Sequence, residues 1–180
     1  MRRAVFLDRD GVLNEPVLRN GRPLPPPDRD SLTIVAGAAA ALHALRDAGF
    51  FLVCVTNQPD IARGTQSLGV VESINAALRE ALPLDDFRMC PHDNADGCAC
   101  RKPKPGMLLD SAAAHELDLA GSFMVGDRWS DIHAGRRAGC RTVLVGTGYG
   151  EPRGDAVPDA TVASITDAAA WIAAWTPGRT

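Results

Sequence analysis

The amino-acid sequence predicts one doubly wound α/β domain spanning residues 1–180, built on a parallel sheet. Three observations carry that expectation. The apolar runs at residues 4–7, 50–55, 123–125 and 142–145 are short and continuous rather than alternating, as suits strands covered on both faces. Amphipathic stretches of helical period separate them, the rhythm of strand–helix–strand units. Three of the four runs also stop abruptly at a small polar or acidic residue, namely Asp8, Thr56 and Asp127.

In chain order, the first strand covers residues 4–7 and closes at Asp8. A helix over 37–48 carries Leu42 and Leu45 on one stripe and ends at Gly49, a residue suited to the left-handed position after a helix. The second strand, 50–55, runs into Thr56 and Asn57. Val71, Ile74, Leu78 and Leu82 recur at helical spacing and mark a buried face. Pro105-Gly106 opens another helix through about Leu117, before the third strand at 123–125. A short helix over 130–138 stops at Gly139, and the fourth strand leads into a glycine-rich turn at 146–150. Ser164 with Asp167 resembles a capping box for a last helix running to about Trp175. Residues 16–30, rich in Pro and Arg, read as a surface loop, and residues 87–105 match no regular element.

Composition narrows the partners. A formal net charge of −3 gives no global pull toward nucleic acid or an anionic membrane, so any phosphate site must be local. The apolar run after Met1-Arg2-Arg3 is shorter than the ~7–15 residues of a secretory core. No stretch approaches the ~20 apolar residues of a membrane span. The expected compartment is the cytoplasm and the expected partner a small metabolite.

The strand-end residues suggest chemistry. In open parallel sheets, ligands bind outside the carboxyl ends of the strands. Asp8 and Asp10 sit two positions apart where a strand turns into a loop, with Gly11 permitting the turn. Converging carboxylates repel unless a cation sits between them, and a third, Asp127, completes a hard oxygen set suited to Mg²⁺. Asp8 then has the means to attack phosphorus, and Asp10 to move the proton of the leaving oxygen and of water. Thr56, nearby N–H groups and a lysine would hold the phosphoryl oxygens.

A second cluster is metal-like. Cys90, His92, Cys98 and Cys100 supply four soft or borderline ligands within eleven residues, enough for a structural zinc tetrahedron. A set of free thiols is the alternative. Zinc would order a loop over about 88–105 that is too polar to fold by burial, and would fix Arg101 and Lys102 beside the site. Cys54 and Cys140 read as core residues. His43, His115 and His133 read as solvated or capping, Trp171 and Trp175 as packing, and Trp129 as either packing or pocket lining.

Four motifs in order resemble the haloacid dehalogenase (HAD) superfamily of phosphohydrolases. They are Phe-Leu-Asp-Arg-Asp-Gly-Val-Leu-Asn at 6–14, Val-Thr-Asn-Gln at 55–58, Cys-Arg-Lys-Pro-Lys-Pro-Gly-Met at 100–107, and Val-Gly-Asp-Arg-Trp-Ser-Asp at 125–131. More narrowly, the chain resembles the heptose-bisphosphate and histidinol-phosphate phosphatase branch. The resemblance implies a Rossmann-like domain without a large cap, often with a zinc loop. It implies Asp8 as nucleophile, Asp10 as acid/base, and Thr56 and Lys102 as phosphoryl stabilisers. Asp8, Asp10 (through its carbonyl) and Asp127 would hold Mg²⁺, with Asp131 supporting from behind. Arg101 and Arg128 match substrate-contact positions, and Asn57 and Gln58 extend the same rim. Lys104 competes with Lys102, which fits the branch pattern better because it follows Arg101 and precedes a proline. Small relatives of this kind imply a monomer. The non-enzymatic alternative is a zinc-organised binding module with a vestigial site.

Overall fold

A computed structural model describes residues 1–19, 22–148 and 152–175. Six strands form one wholly parallel sheet in the order β5-β4-β1-β6-β7-β8. They are β1 (Arg2–Leu7), β4 (Phe51–Asn57), β5 (Asp86–Cys90), β6 (Leu117–Arg128), β7 (Arg141–Gly148) and β8 (Ala160–Val162). A separate antiparallel pair, β2 (Val17–Arg19) and β3 (Arg22–Leu24), follows β1. Five helices cover the sheet: α1 (Ala38–Asp47), α2 (Leu68–Ala81), α3 (Gly106–His115), α4 (Trp129–Ala138) and α5 (Ile165–Ala174).

Side-chain alternation along the strands builds two cores. In β1, Val5 and Leu7 point to the face covered by α1, α2 and α5, where Leu42, Ile74, Leu78 and Ile172 are buried. Ala4 and Phe6 point to the other face, covered by α3 and α4 through Met107, Leu108 and Ala134. Central strands wetted on neither face must be apolar throughout, and each fully buried Leu or Phe contributes roughly 1.5–3 kcal/mol. The chain goes from β1 outward to β4 and β5, then crosses back to β6 on the opposite side. The order reverses at β1, so the ends of β1 and β6 flank the switch point at which such sheets bind ligands.

Several sequence expectations need correction. Residues 16–30 are not wholly loop, because β2 and β3 pair there with Val17 opposite Leu24. Residues 87–105 begin as strand β5 rather than loop. That strand and β8 were missed because they are the two edges of the sheet. An edge strand is covered incompletely and tolerates mixed polarity, as in Asp-Phe-Arg-Met-Cys. Leu117 opens β6 rather than ending α3, because Glu116 turns left-handed with φ 54° and stops the helix at His115. β4 extends two residues beyond the expected 50–55, through Thr56 and Asn57. Tyr149 and Gly150 of the glycine-rich turn lie outside the described residues. No helix among the described residues is long and apolar enough to cross a membrane.

Candidate active site

The carboxyl ends of β1, β4 and β6 open into one cleft of about 760 Å³, with Asp8, Asn57, Lys102 and Asp127 in its lining. β1 delivers Asp8 one residue past its last paired position, where the Asp8 N–H donates to the Val125 carbonyl at 2.9 Å. β6 delivers Asp127 and passes into α4 without a loop, which brings in Asp131 at the third helical position. The Arg128 N–H donates to Asp131 Oδ2 at 3.1 Å, so the helix start and the acid fix each other. One oxygen each of Asp8, Asp127 and Asp131 lies within 4.8 Å of the others. All three residues are buried.

Two glycines make that density feasible. A Cβ on Gly11, which adopts φ 88°, would land on the Asp127 carboxylate, and a Cβ on Gly126 would land on that of Asp131. Lys102 is the counter-charge. The residue is 3% exposed, and its ammonium lies 2.8 Å from Asp8 Oδ1 and 2.6 Å from Asp131 Oδ1 and donates to the Val55 carbonyl at 2.7 Å. Asn57 holds the Lys102 backbone at both ends: its Nδ2 donates to the Lys102 carbonyl at 3.0 Å and its Oδ1 accepts the Lys102 N–H at 3.1 Å.

The electrostatics match a cation site. Burial, then the charges of Asp8 and Asp131, push Asp127 up to about 9. Burial and the Asp8 charge push Asp131 up to about 7, although Lys102 opposes this. Burial alone would lower the Lys102 ammonium, but Asp131 and Asp8 offset that and raise it. Asp127 Oδ1 is buried with no hydrogen-bond partner among the described residues. An orphaned carboxylate oxygen beside two further acids is a fit for a hard divalent ion such as Mg²⁺.

Asp10 stands apart from this cluster, half-buried beside it. Arg9 grips its two oxygens at 3.0–3.2 Å, Asn14 Nδ2 donates to Oδ1 at 3.1 Å, and Gln58 Nε2 donates to Oδ2 at 2.9 Å. The same Gln58 amide donates to the Thr56 hydroxyl at 2.8 Å, and Thr56 is buried beneath it.

The Cys/His residues also meet. Cys90, at the end of β5, brings its sulfur 3.2 Å from that of Cys100, 3.7 Å from that of Cys98 and 3.6 Å from His92 Nδ1. Cys100 Sγ lies 3.4 Å from His92 Nδ1 and 3.5 Å from Cys98 Sγ. A tetrahedral zinc with bonds of about 2.0–2.3 Å separates its ligands by roughly 3.5–3.8 Å, so the four atoms fit such an ion. Burial and a hydrogen bond to Cys100 push the Cys90 thiol up to about 12, a cost that a bound cation would remove. The loop reaches the cleft through Arg101, whose Nε donates to Asn94 Oδ1 at 2.8 Å and Nη1 to the His92 carbonyl at 3.2 Å.

The structure therefore brings together Asp8, Asp127, Asp131 and Lys102, and puts Asp10, Asn57, Gln58, Arg101 and Arg128 on the same cleft. Lys104 instead donates to the carbonyls of Gly97 and Cys98. Trp129 packs against Gly148. His133, read from sequence as solvated or capping, reaches the cleft wall with Arg63 and Arg137. His115 pairs with Asp86 on the far side. Sequence reasoning passed over Arg9 and Asn75. The signal for Asn75 was present, since it interrupts the apolar stripe of Val71, Ile74 and Leu78 at a core position.

Comparison with known proteins agrees with this arrangement. A family model described as HAD-hydrolase-like matches residues 99–168. A D-glycero-D-manno-heptose-1,7-bisphosphate 7-phosphatase of Thermosynechococcus vestitus is 39% identical over 166 residues, covering 83% of this chain and 82% of the relative. The D-glycero-beta-D-manno-heptose-1,7-bisphosphate 7-phosphatase of Haemophilus influenzae is 38% identical, covering 93% and 95%. The crystal structure of a D,D-heptose 1,7-bisphosphate phosphatase from B. bronchiseptica, complexed with magnesium and phosphate, superposes with a TM-score of 0.81 at 34% identity, covering 94% of this chain and 97% of that one. With identity and coverage at that level over the parallel sheet and its strand-end acids, this chain belongs to the HAD-type phosphatases.

Proposed function

We propose that the chain is a D-glycero-D-manno-heptose 1,7-bisphosphate 7-phosphatase, and that it works through a phospho-aspartate on Asp8 with Mg²⁺ bound. The observation that carries this reading is the convergence of Asp8, Asp127, Asp131 and Lys102 at the switch point of the sheet. Asp8, the Asp10 carbonyl and Asp127 would hold the ion, with Asp131 beside them. When bound, the ion would neutralise the acids and draw charge from the phosphoryl oxygens.

The chain's own residues do the rest. Lys102 fixes Oδ1 of Asp8, leaving the other oxygen to attack phosphorus as the bond to the sugar oxygen breaks. Asp10 gives its proton to that oxygen. It then takes a proton from the water that attacks phosphorus and frees Asp8. Asn57 fixes the backbone from which Lys102 extends, and Thr56 anchors Gln58 beside Asp10. A second phosphate fits the cations lining the outer cleft, Arg63, Arg101, Arg128 and Arg137. The cleft volume suits a ligand of this size, since small-molecule sites span about 300–1,000 Å³. Zinc on Cys90, His92, Cys98 and Cys100 would hold Arg101 in place within a single domain over 1–180. The names of the relatives support the heptose substrate.

The test is a kinetic screen with Mg²⁺ present, comparing the heptose bisphosphate, its 7-monophosphate, other sugar phosphates and histidinol phosphate. We expect the bisphosphate to give the highest kcat/KM, and Asp8→Asn to lower kcat by at least about 10⁴. A preference for histidinol phosphate would overturn the substrate. Undiminished turnover by Asp8→Asn would overturn the mechanism.

A further inference from the structure

Arg9 is the largest fully buried side chain in the described chain, and it is charged. A guanidinium carries five N–H donors and no acceptor, and removing it from water costs several kcal/mol unless its partners are well placed. Its partners are few and specific. Nε and Nη2 fork onto both oxygens of Asp10, and Nη1 donates to Asn75 Oδ1 at 2.8 Å. Asn75 is itself 5% exposed on α2, and its Nδ2 lies 3.6 Å from Met89 Sδ on β5. A line of contacts thus runs from the edge strand, through a helix, under the cleft to Asp10.

The fold alone gives little reason for this line. The turn after Asp8 is already closed by the Arg9 carbonyl, which accepts from the N–H groups of Val12, Leu13 and Asn14. A buried ion pair is weak evidence for stability, because well-packed apolar residues of similar volume often serve as well or better. Asn75 occupies a position on the α2 stripe where a leucine would pack without an amide to satisfy. What the two residues do achieve is to set both oxygens of Asp10 in one orientation, to which Asn14 adds a hydrogen bond on Oδ1 and Gln58 one on Oδ2.

We propose that Arg9, anchored by Asn75, is a positioning residue that aims the Asp10 carboxylate at the leaving oxygen and then at the attacking water. This rests on the reading of Asp10 as the acid/base. The proton moves as described above, and Arg9 neither gives nor takes one. Its effect passes through Asp10 alone, so it disappears when Asp10 cannot transfer protons.

A double-mutant cycle tests this on whichever sugar phosphate the screen selects, using the full chain with Mg²⁺ and zinc. Arg9→Met is expected to lower kcat by about 10²–10³, the usual weight of a positioned acid/base, while KM changes by no more than about threefold. In an Asp10→Asn background the same substitution is expected to cost no more than about twofold further. A kcat for Arg9→Met near that of the parent overturns the proposal, and so does a loss that returns in full when Asp10 is already Asn. The underlying reading fails by a different result, an Asp10→Asn variant with undiminished kcat. Should Arg9→Met not fold by circular dichroism, Asn75→Ala takes its place, since it leaves both charges present. Its expected loss is about tenfold in kcat in the otherwise native chain and is absent in the Asp10→Asn background; a parental kcat for Asn75→Ala alone is equally decisive against the proposal.

Discussion

At the scale of single residues, the site depends on what is missing from Gly11 as much as on what its neighbours carry. Its φ of 88° disfavours any side chain, and a Cβ would collide with the Asp127 carboxylate. Gly11→Ala is therefore expected to destabilise the fold by about 1–3 kcal/mol. It should also weaken Mg²⁺ binding, because Asp127 must move. Thermal unfolding and a Mg²⁺ titration followed by activity check both, and a variant with parental Mg²⁺ affinity would show that Asp127 has room to spare. Asp8 and Asp127 were legible in the sequence because an acid that ends an apolar strand has no packing reason to be there. Lys102 was legible only as a motif position. Its triple contact with Asp8, Val55 and Asp131 joins segments far apart in the chain, which no local pattern encodes. The burial of Arg9 was hidden for the same reason, since its anchor lies 66 residues away.

At the scale of elements, the loop between β5 and α3 carries few apolar side chains of its own. From Pro91 to Cys100 its contacts are mainly thiols, an imidazole and exposed polar pairs such as Arg63 with Asp93, where the Arg63 hydrogen bond lowers the Asp93 carboxyl to about 2. Exposed pairs of this kind contribute little, so a metal bound by the four Cys/His ligands would carry the ordering. Cys98→Ser is expected to reduce zinc below one equivalent by metal analysis and to lower the thermal midpoint by about 2–4 °C per kcal/mol lost. KM should rise as Arg101 loosens, while the Asp8 site keeps its chemistry. Full zinc occupancy in that variant would remove the four-ligand assignment. The central strands were readable because parallel strands buried on both faces are apolar without interruption. The edges β5 and β8 were not, because half-covered strands admit the same mixed residues as loops. The β2–β3 pair was obscured by its length and composition, three residues a strand with two arginines and a proline among the six.

At the scale of the whole molecule, folding brings together acids that the unfolded chain keeps apart, and this ties stability to pH. Asp127 and Asp131 titrate near 9 and 7 in the fold, against about 3.9 for an unfolded aspartate. Without a divalent ion, the folded chain therefore retains protons that the unfolded chain has already released. Stability then falls as pH rises from about 4 to 9, by at most about 1.4 kcal/mol per pH unit for each retained proton. In magnesium-free buffer with zinc still loaded, the thermal midpoint should drop across that range. Saturating Mg²⁺ should flatten the drop, and apparent Mg²⁺ affinity should tighten with pH, because the ion displaces the same protons. A midpoint indifferent to pH in magnesium-free buffer would contradict the burial of these acids. Ion and substrate are linked as well. Three carboxylates against one ammonium leave the ionised rim two positive charges short, and one divalent ion makes up that deficit. A phosphate dianion arriving first meets repulsion wherever those acids are ionised, whereas one arriving second meets a neutral cradle. By thermodynamic reciprocity, whatever factor the ion adds to phosphate affinity, phosphate adds to the ion's, so each occupant recruits the other.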